Sequence, residues 1–232
     1  MRIYLMRHSE TDWNRQHRIQ GRSDLHLNMN GMKIAALSGD GMAEIPIDAC
    51  FSSPLMRAQE TAAIVLARNP HYVKEGGRIR LDDRLMEICF GEWEGKDSIF
   101  GPDVSDEERE KFNLFFRSLD GGYVPEGAEP LRSVVDRGDA FLDEIAGRED
   151  LKDKTVLVLT HGCTFRCMLY RFAKDQESYF RKPQILFNCA TAQIDVDEEG
   201  RMELSGVGRI FYDEALAEDF YSKKGTGQEK TK

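Results

Sequence analysis

The chain has few of the features that mark a secreted, membrane-bound or metal-built protein. Its five cysteines, Cys50, Cys89, Cys163, Cys167 and Cys189, are odd in number and form no C-x-x-C pair. That excludes a disulfide framework and the common zinc spacings, and reduced thiols in the cytoplasm are the expectation. No apolar run is long enough to cross a bilayer, and the opening Met-Arg-Ile-Tyr-Leu-Met is too short for a secretory leader. Five histidines, His8, His17, His26, His71 and His161, are scattered, with no H-E-x-x-H and no Cys–His spacing. A catalytic metal is therefore not expected, and no cofactor is. Neither a P-loop nor G-x-G-x-x-G occurs. Positive charge is in deficit, with 32 Lys and Arg against 41 Asp and Glu and a net charge of -9. Such a surface repels nucleic acid and anionic membranes, so neither is an expected partner. An anionic small molecule would need the positive charge gathered in one cleft.

What is present suits one globular domain. The 232 residues are 41% hydrophobic and 31% charged. Apolar runs at residues 2–6, 47–52, 78–82 and 155–160 read as strands, and 189–196 and 201–206 read as edge strands joined by Asp-Glu-Glu-Gly. Helices are expected over 31–44, from Ser53-Pro54 to just before Pro70, over 130–147 and over 163–173. In the second of these, Ser53 reads as the N-cap and Pro54 as the first helical residue. Its apolar face is Leu55, Ala58, Ala62, Val65 and Leu66. Residues 97–127 have a different texture, Gly, Pro and acid around a charged helix near 105–118, and read as an insertion over one end of the sheet. Strands alternating with helices predict a three-layer α/β sandwich, a mainly parallel central sheet with helices on both faces. One domain over 1–222 is expected, with 223–232 a disordered tail.

In an open α/β sheet ligands bind beyond the carboxyl ends of the strands. Arg7 and His8 follow the first strand, His161 follows the strand at 155–160, Arg57 falls in the helix turn after the second strand, and Glu87 lies beyond the third. Phosphoryl transfer through histidine needs such a set. A neutral imidazole attacks, guanidinium forks hold the phosphoryl oxygens, and a carboxyl group protonates the leaving alkoxide and then activates water. Singly, each residue has an ordinary reading: a hydrogen-bonded His8 or His161, a surface ion pair for Arg7 or Arg57, a solvated Glu87. Gly162 would let backbone approach a ligand, or simply make a turn. Cys163 and Cys167, at i and i+4, read as helix packing, and Trp13 and Trp93 as pocket wall or core.

Taken together these residues resemble the histidine phosphatase superfamily, also described as phosphoglycerate mutase-like. Leu5-Met6-Arg7-His8-Ser9-Glu10-Thr11 resembles L-x-R-H-G-E-T, with Asn14 and Gln20-Gly21 downstream. Ser52-Ser53-Pro54-Leu55-Met56-Arg57-Ala58 resembles S-S-P-L-x-R-A, and Leu85-Met86-Glu87 with Gly91-Glu92-Trp93-Glu94-Gly95 resembles L-x-E…G-x-W-E-G. Pro125-Glu126-Gly127 with Glu129, Thr160-His161-Gly162 and Asn188-Cys189-Ala190 resemble later blocks, to about residue 212. The resemblance implies His8 as the phosphorylated nucleophile and Glu87 as proton donor. It implies Arg7, Arg57 and His161 as the phosphate pocket, Asn14, Gln20 and Gly21 as phosphate or substrate contacts, and no metal. Ser9 stands where the family usually has Gly, and Ala128 and Pro130 alter its P-x-G-E-S loop.

The family contains phosphatases and phosphoglycerate mutases. The bisphosphoglycerate-dependent mutases have Tyr three residues after the acid and Lys eleven after, positions held here by Phe90 and Ser98, and an Arg-Arg pair that residues 97–127 lack. The resemblance is to the phosphatase branch, which includes α-ribazole phosphatase and broad-specificity monoesterases. It implies a metal-independent phosphatase acting on a small phosphorylated metabolite, with a mutase as the alternative and a catalytically silent phosphate-binding protein as a third reading.

Overall fold

The run Thr-Val-Leu-Val-Leu-Thr has no polar face to turn to water, and the fold exposes neither side of it. A computed structural model describes residues 1–97, 104–117, 119, 122–181 and 186–216. In it the run is β4 (Thr155–Thr160), within a six-stranded sheet. The other strands are β1 (Arg2–Arg7), β2 (Ala49–Ser52), β3 (Ile79–Leu81), β5 (Thr191–Val196) and β6 (Met202–Arg209). Their order is β3-β2-β4-β1-β5-β6. The first four strands of that order are parallel, and β5 and β6 add antiparallel pairs at one edge. The helices among the described residues are α1 (Asp12–Arg15), α2 (Met29–Gly41), α3 (Met56–Leu66), α4 (Pro70–Lys74), α5 (Asp106–Arg117), α6 (Leu131–Ala146) and α7 (Gly162–Leu169).

Side chains of a strand alternate between faces, and here both faces are buried. Ile3, Leu5, Phe51, Val156 and Val158 pack with Phe141, Leu142 and Ile145 of α6 and Phe165 of α7. Tyr4, Met6, Cys50, Leu157 and Leu159 pack with Ile34 and Ala35 of α2 and Ala58, Ala62 and Val65 of α3. The result is the expected three-layer sandwich, and it explains why the central strands are continuous apolar runs rather than alternating ones. A third cluster joins Ile88, Phe90 and Trp93 to Phe115 of α5 and Leu131 and Val134 of α6. Trp93 stacks between Phe112 and Tyr123, with ring centroids 5.5 and 5.7 Å away. The charged 105–118 stretch is thus an amphipathic helix docked on Trp93, which belongs to the core. Trp13 is half-buried, with the Arg18 guanidinium 5.6 Å above its ring.

Helices α1 and α4 were not expected from sequence, and the other differences lie at element ends. Helix α2 starts two residues earlier than expected, because Asn28 caps it by accepting from the Gly31 amide. Ser53 does not cap α3. Leu55 occupies the cap position without a side-chain bond, and Ser53 Oγ accepts from the Leu55 amide at 3.3 Å. The orphan amide of Met56 donates instead to Asp24 Oδ1 at 2.7 Å, a cap supplied by a distant loop. The helix expected over 163–173 is α7 followed by a 3-10 turn at Tyr170–Phe172. Strand β6 runs three residues past its expected end, to Arg209. The tail from 223 and residues 98–103 of the insertion lie outside the described residues.

Candidate active site

Arg7 and Thr160 are register partners in the parallel pair β1–β4. The next residue of each strand therefore leaves the sheet beside the other, and the rings of His8 and His161 sit 5.1 Å apart, tilted by 54°. His8 is held on both sides of its backbone: its amide donates to the Thr160 carbonyl at 2.9 Å, and Asn188 Nδ2 donates to its carbonyl at 3.1 Å. Its Nδ1 lies 2.6 Å from the Ser9 carbonyl. A carbonyl only accepts, so Nδ1 carries the hydrogen and Nε2 carries a lone pair. His8 is 3% exposed. Burial, and then the charges of Arg57 and Arg7, push its pKa well below that of free imidazole. His161 is shifted the same way by burial and by Arg57.

Two consequences follow for pH. The neutral form of His8 persists below pH ~6.5, so if this imidazole is the nucleophile the acid limb of kcat/KM for a phosphate monoester should fall below that value. Both imidazoles bind protons more weakly folded than unfolded, so stability is full above about pH 6.5 and declines as pH falls through it. Urea midpoints measured from pH 7.5 to 5 should show that decline, and His8→Ala should flatten part of it.

Arg57 is wholly buried. Its Nε donates to His161 Nδ1 at 3.1 Å, Nη1 to the Ser23 carbonyl at 2.8 Å and Nη2 to the Gly21 carbonyl at 2.7 Å. Because Nδ1 of His161 accepts, its Nε2 is the protonated nitrogen and donates to Ser53 Oγ at 2.7 Å. Both ring nitrogens of His161 are thus engaged by protein, and the residue orients Arg57. Burial lowers the Arg57 pKa to about 10, against the opposing pull of Glu87, Asp24 and Glu94. The guanidinium remains charged at neutral pH.

Glu87 sits at the start of α7. Its Oε1 accepts from Thr164 N at 2.9 Å, Thr164 Oγ1 at 3.1 Å and its neighbour Ile88 N at 3.0 Å, and Oε2 accepts from Cys163 N at 3.1 Å. The first amides of α7, a place where an anion is favoured, are therefore spent on orienting the Glu87 carboxylate. A Cβ added to Gly162 would stand 3.5 Å from Arg7 Nε and 3.9 Å from Glu87 Oε2, ordinary contact distances. Arg7 also donates through Nη1 to the Leu186 carbonyl. Gly162→Ala should therefore fold normally, yet place a methyl group between the cation and the carboxylate. The measurable result is product inhibition by phosphate weakened about tenfold or more, with an unchanged circular dichroism spectrum.

The remaining sequence candidates divide. Gly21 has φ +52° and lends its carbonyl to Arg57. Gln20 is 9% exposed, and its Oε1 meets no donor among the described residues. Asn14 turns inward to cap α1: its Oδ1 accepts from Thr11 N and Thr11 Oγ1, both at 3.1 Å. Ser9 does not crowd the imidazole. Its hydroxyl donates to the Gly31 carbonyl at 2.8 Å, and its amide donates to Thr61 Oγ1 at 2.9 Å, tying the loop after β1 to α2 and α3. Three participants were not singled out from sequence: Ser53 as the partner of His161, Thr164 as a partner of Glu87, and Asn188 on the His8 carbonyl. A polar residue directly following a strand was the available signal for Ser53. Among the described residues no three His, Cys, Asp or Glu side chains group so as to hold a metal ion.

A metal-independent phosphoserine phosphatase of Arabidopsis thaliana is 32% identical over 174 residues, 74% of this chain and 68% of that protein. A probable phosphoglycerate mutase, GpmB of Escherichia coli, is 30% identical over 200 residues, 85% of this chain and 86% of that one. The solved structure of Bacillus stearothermophilus YhfR superposes with a TM-score of 0.76 at 28% identity, covering 90% of this chain and 97% of that one. With the family model described as histidine phosphatase superfamily (branch 1) matching residues 3–206, the chain belongs to that superfamily.

Proposed function

We propose that the protein is a metal-independent phosphomonoesterase that hydrolyses a small phosphorylated metabolite through phosphorylated His8. The observation that carries this reading is the state of His8: a buried neutral imidazole, Nδ1 fixed on the Ser9 carbonyl, Nε2 without a partner among the described residues, and two arginines acting on it. In the first step Nε2 attacks phosphorus while the P–O bond to the alcohol breaks. Arg7 and Arg57 bind the phosphoryl oxygens, and the Glu87 carboxyl group gives its proton to the leaving oxygen. In the second step the Glu87 carboxylate takes a proton from water as that water attacks phosphorus, and the N–P bond breaks to free His8 and inorganic phosphate. Gln20, with its buried open amide, and Gly21 line the same pocket in this reading.

Hydrolysis rather than mutase chemistry is supported at Phe90. Where the mutases have a tyrosine, its ring is buried against Phe115 and Phe116, with centroids 6.1 and 6.3 Å away. It offers no hydroxyl and ties the insertion to the loop carrying Glu87. A protein named as a probable mutase is also among the relatives, so the two activities are to be measured together. Phosphate release from a panel of phosphorylated metabolites should exceed interconversion of 3- and 2-phosphoglycerate. Chelator should leave hydrolysis intact and vanadate, a mimic of five-coordinate phosphorus, should inhibit it. Loss in chelator with recovery on adding zinc or magnesium rejects the mechanism; efficient interconversion with little phosphate release reverses the choice of reaction. No helix among the described residues is long and apolar enough to cross a membrane, and the reading places the enzyme in the cytoplasm, as one domain whose 97–127 insertion selects the substrate.

A further inference from the structure

The run Gly91-Glu92-Trp93-Glu94-Gly95 has so far supplied only Trp93, to the core. Its second carboxylate has a separate geometry. Glu94 Oε1 accepts from Arg22 N at 2.9 Å and Phe90 N at 3.1 Å, and Oε2 accepts from Ser23 N at 3.0 Å and Ser23 Oγ at 2.9 Å. Three of these four donors belong to Arg22 and Ser23, the segment whose flanking carbonyls, Gly21 and Ser23, hold the two terminal nitrogens of Arg57. The fourth is the amide three residues after Glu87. The approach is close: a Cβ on Gly21 would fall 2.1 Å from Glu94 Oε1, so only glycine lets the carboxylate lie against this loop. The motif's own ends are fitted in the same way. Gly91, at φ +56°, would place a Cβ 2.1 Å from the Glu126 carbonyl oxygen, and the Gly95 amide donates to the Ile19 carbonyl at 2.8 Å.

We infer that Glu94 is a positioning residue for catalysis: its carboxylate fixes the Gly21–Ser23 loop, and that loop fixes the guanidinium of Arg57 against the phosphoryl group. The inference rests on the reading of Arg57 as a phosphoryl ligand. A carboxylate is the suitable group because all four of its partners are donors, and one planar anion satisfies them at once. Glutamine cannot replace it without loss. On whichever side its Nε2 lay it would face at least one backbone N–H, which has nothing to accept with; only the Ser23 hydroxyl could turn to accept, and either the 22–23 side or the Phe90 side would be loosened. Arg57 would keep its charge and burial but lose its aim, and misplacement by about 1 Å costs about 10²-fold in rate. Arg57 holds the transferring group rather than the departing alcohol, so the defect should not depend on the leaving group.

The test is a double-mutant cycle on the intact protein with Glu94→Gln, Arg57→Lys and the pair, using nitrophenyl phosphate, an alkyl phosphate and vanadate. Glu94→Gln is expected to lower kcat/KM about 10²-fold for both substrates alike, and to weaken vanadate inhibition in step. In the Arg57→Lys background the same change should cost only a few-fold more, because its effect passes through a group already disabled. Glu92→Gln, an exposed change two residues earlier, should leave activity as it is. Additive losses in the cycle, a loss confined to the alkyl phosphate, or no loss at all would each overturn the inference. If Glu94→Gln does not fold, Ser23→Ala removes one of the four donors and keeps the carbonyl that holds Arg57. The same cycle then applies, with a few-fold loss expected and additivity again decisive. The phosphoryl-pocket reading fails separately, if Arg57→Lys hydrolyses and binds vanadate like the wild type.

Discussion

Alanine at position 8 should leave a folded protein that forms no phosphoenzyme and whose turnover falls by about 10⁴-fold or more. The fold should survive because the bonds that anchor this residue are main-chain ones, to Thr160 and from Asn188. What is lost is a buried imidazole whose Nε2 makes no hydrogen bond among the described residues. His161 is no substitute, since Arg57 and Ser53 occupy both of its nitrogens. The measurement is transfer of label from a ³²P substrate, quenched in alkali, where an N–P bond survives and an acyl phosphate does not. Wild-type protein should carry the label and His8→Ala none. Label retained by His8→Ala would place the nucleophile elsewhere and end the mechanism as written.

Glu87→Gln should separate the two chemical roles. Glutamine keeps the size of the side chain but neither donates nor accepts the proton. Protonation of a poor leaving group is worth about 10²–10⁴-fold, and nitrophenolate departs almost without it. Alkyl phosphates should therefore suffer far more than nitrophenyl phosphate in the first step. The second step still lacks its base, so phosphohistidine should accumulate when the activated substrate is used. The structure adds a stability effect. Oε1 and Oε2 accept from four donors, and an amide nitrogen facing Cys163 N–H or Thr164 N–H leaves that donor unsatisfied. A loss of about 1–3 kcal/mol is expected in denaturant titrations. Near-normal turnover of alkyl phosphates by Glu87→Gln would mean that another residue is the acid. A folded variant that traps no phosphohistidine would count against the covalent route itself.

Much of this was legible before any coordinates, for reasons that differ by element. Thr155–Thr160 was clear because a strand buried on both faces can only be apolar throughout. Helix α6 was clear because Leu131, Val134, Val135, Phe141, Leu142 and Ile145 repeat with the helical period, and all six are buried. The grouping of Arg7, His8, Arg57, Glu87 and His161 came from their places just past strand ends, a property of the chain order alone. What stayed hidden depends on residues far apart in sequence. The cap of α3 comes from Asp24, 32 residues before Met56. The amides of α7 bind Glu87, 76 and 77 residues away, and no local signal says that they are taken. The fate of the Ser9 hydroxyl was equally unreadable, because Gly31 lies 22 residues on. Ser53 shows the converse error: its local pattern was that of a helix cap, and a tertiary partner, His161, claimed the hydroxyl instead.

Arg57 carries a thermodynamic consequence of its own. An arginine waiting in solvent gives up about 1.5–2 kcal/mol of rotamer freedom when it closes on an anion. Arg57 has surrendered that freedom already, buried at every atom and fastened to two carbonyls and an imidazole. In the proposed pocket an incoming phosphate ester would meet a rigid cation and need not order it. Folding supplies the ordering in its place, and with it the removal of a guanidinium from water without a carboxylate, among the described residues, as its direct partner. The tightness of the pocket and the stability of the chain are therefore set against each other at this one side chain. An apolar residue of similar volume there should abolish phosphate binding, and it would leave the Gly21 and Ser23 carbonyls and His161 Nδ1 without their donor, so the relief of burying a cation is offset by three stranded acceptors.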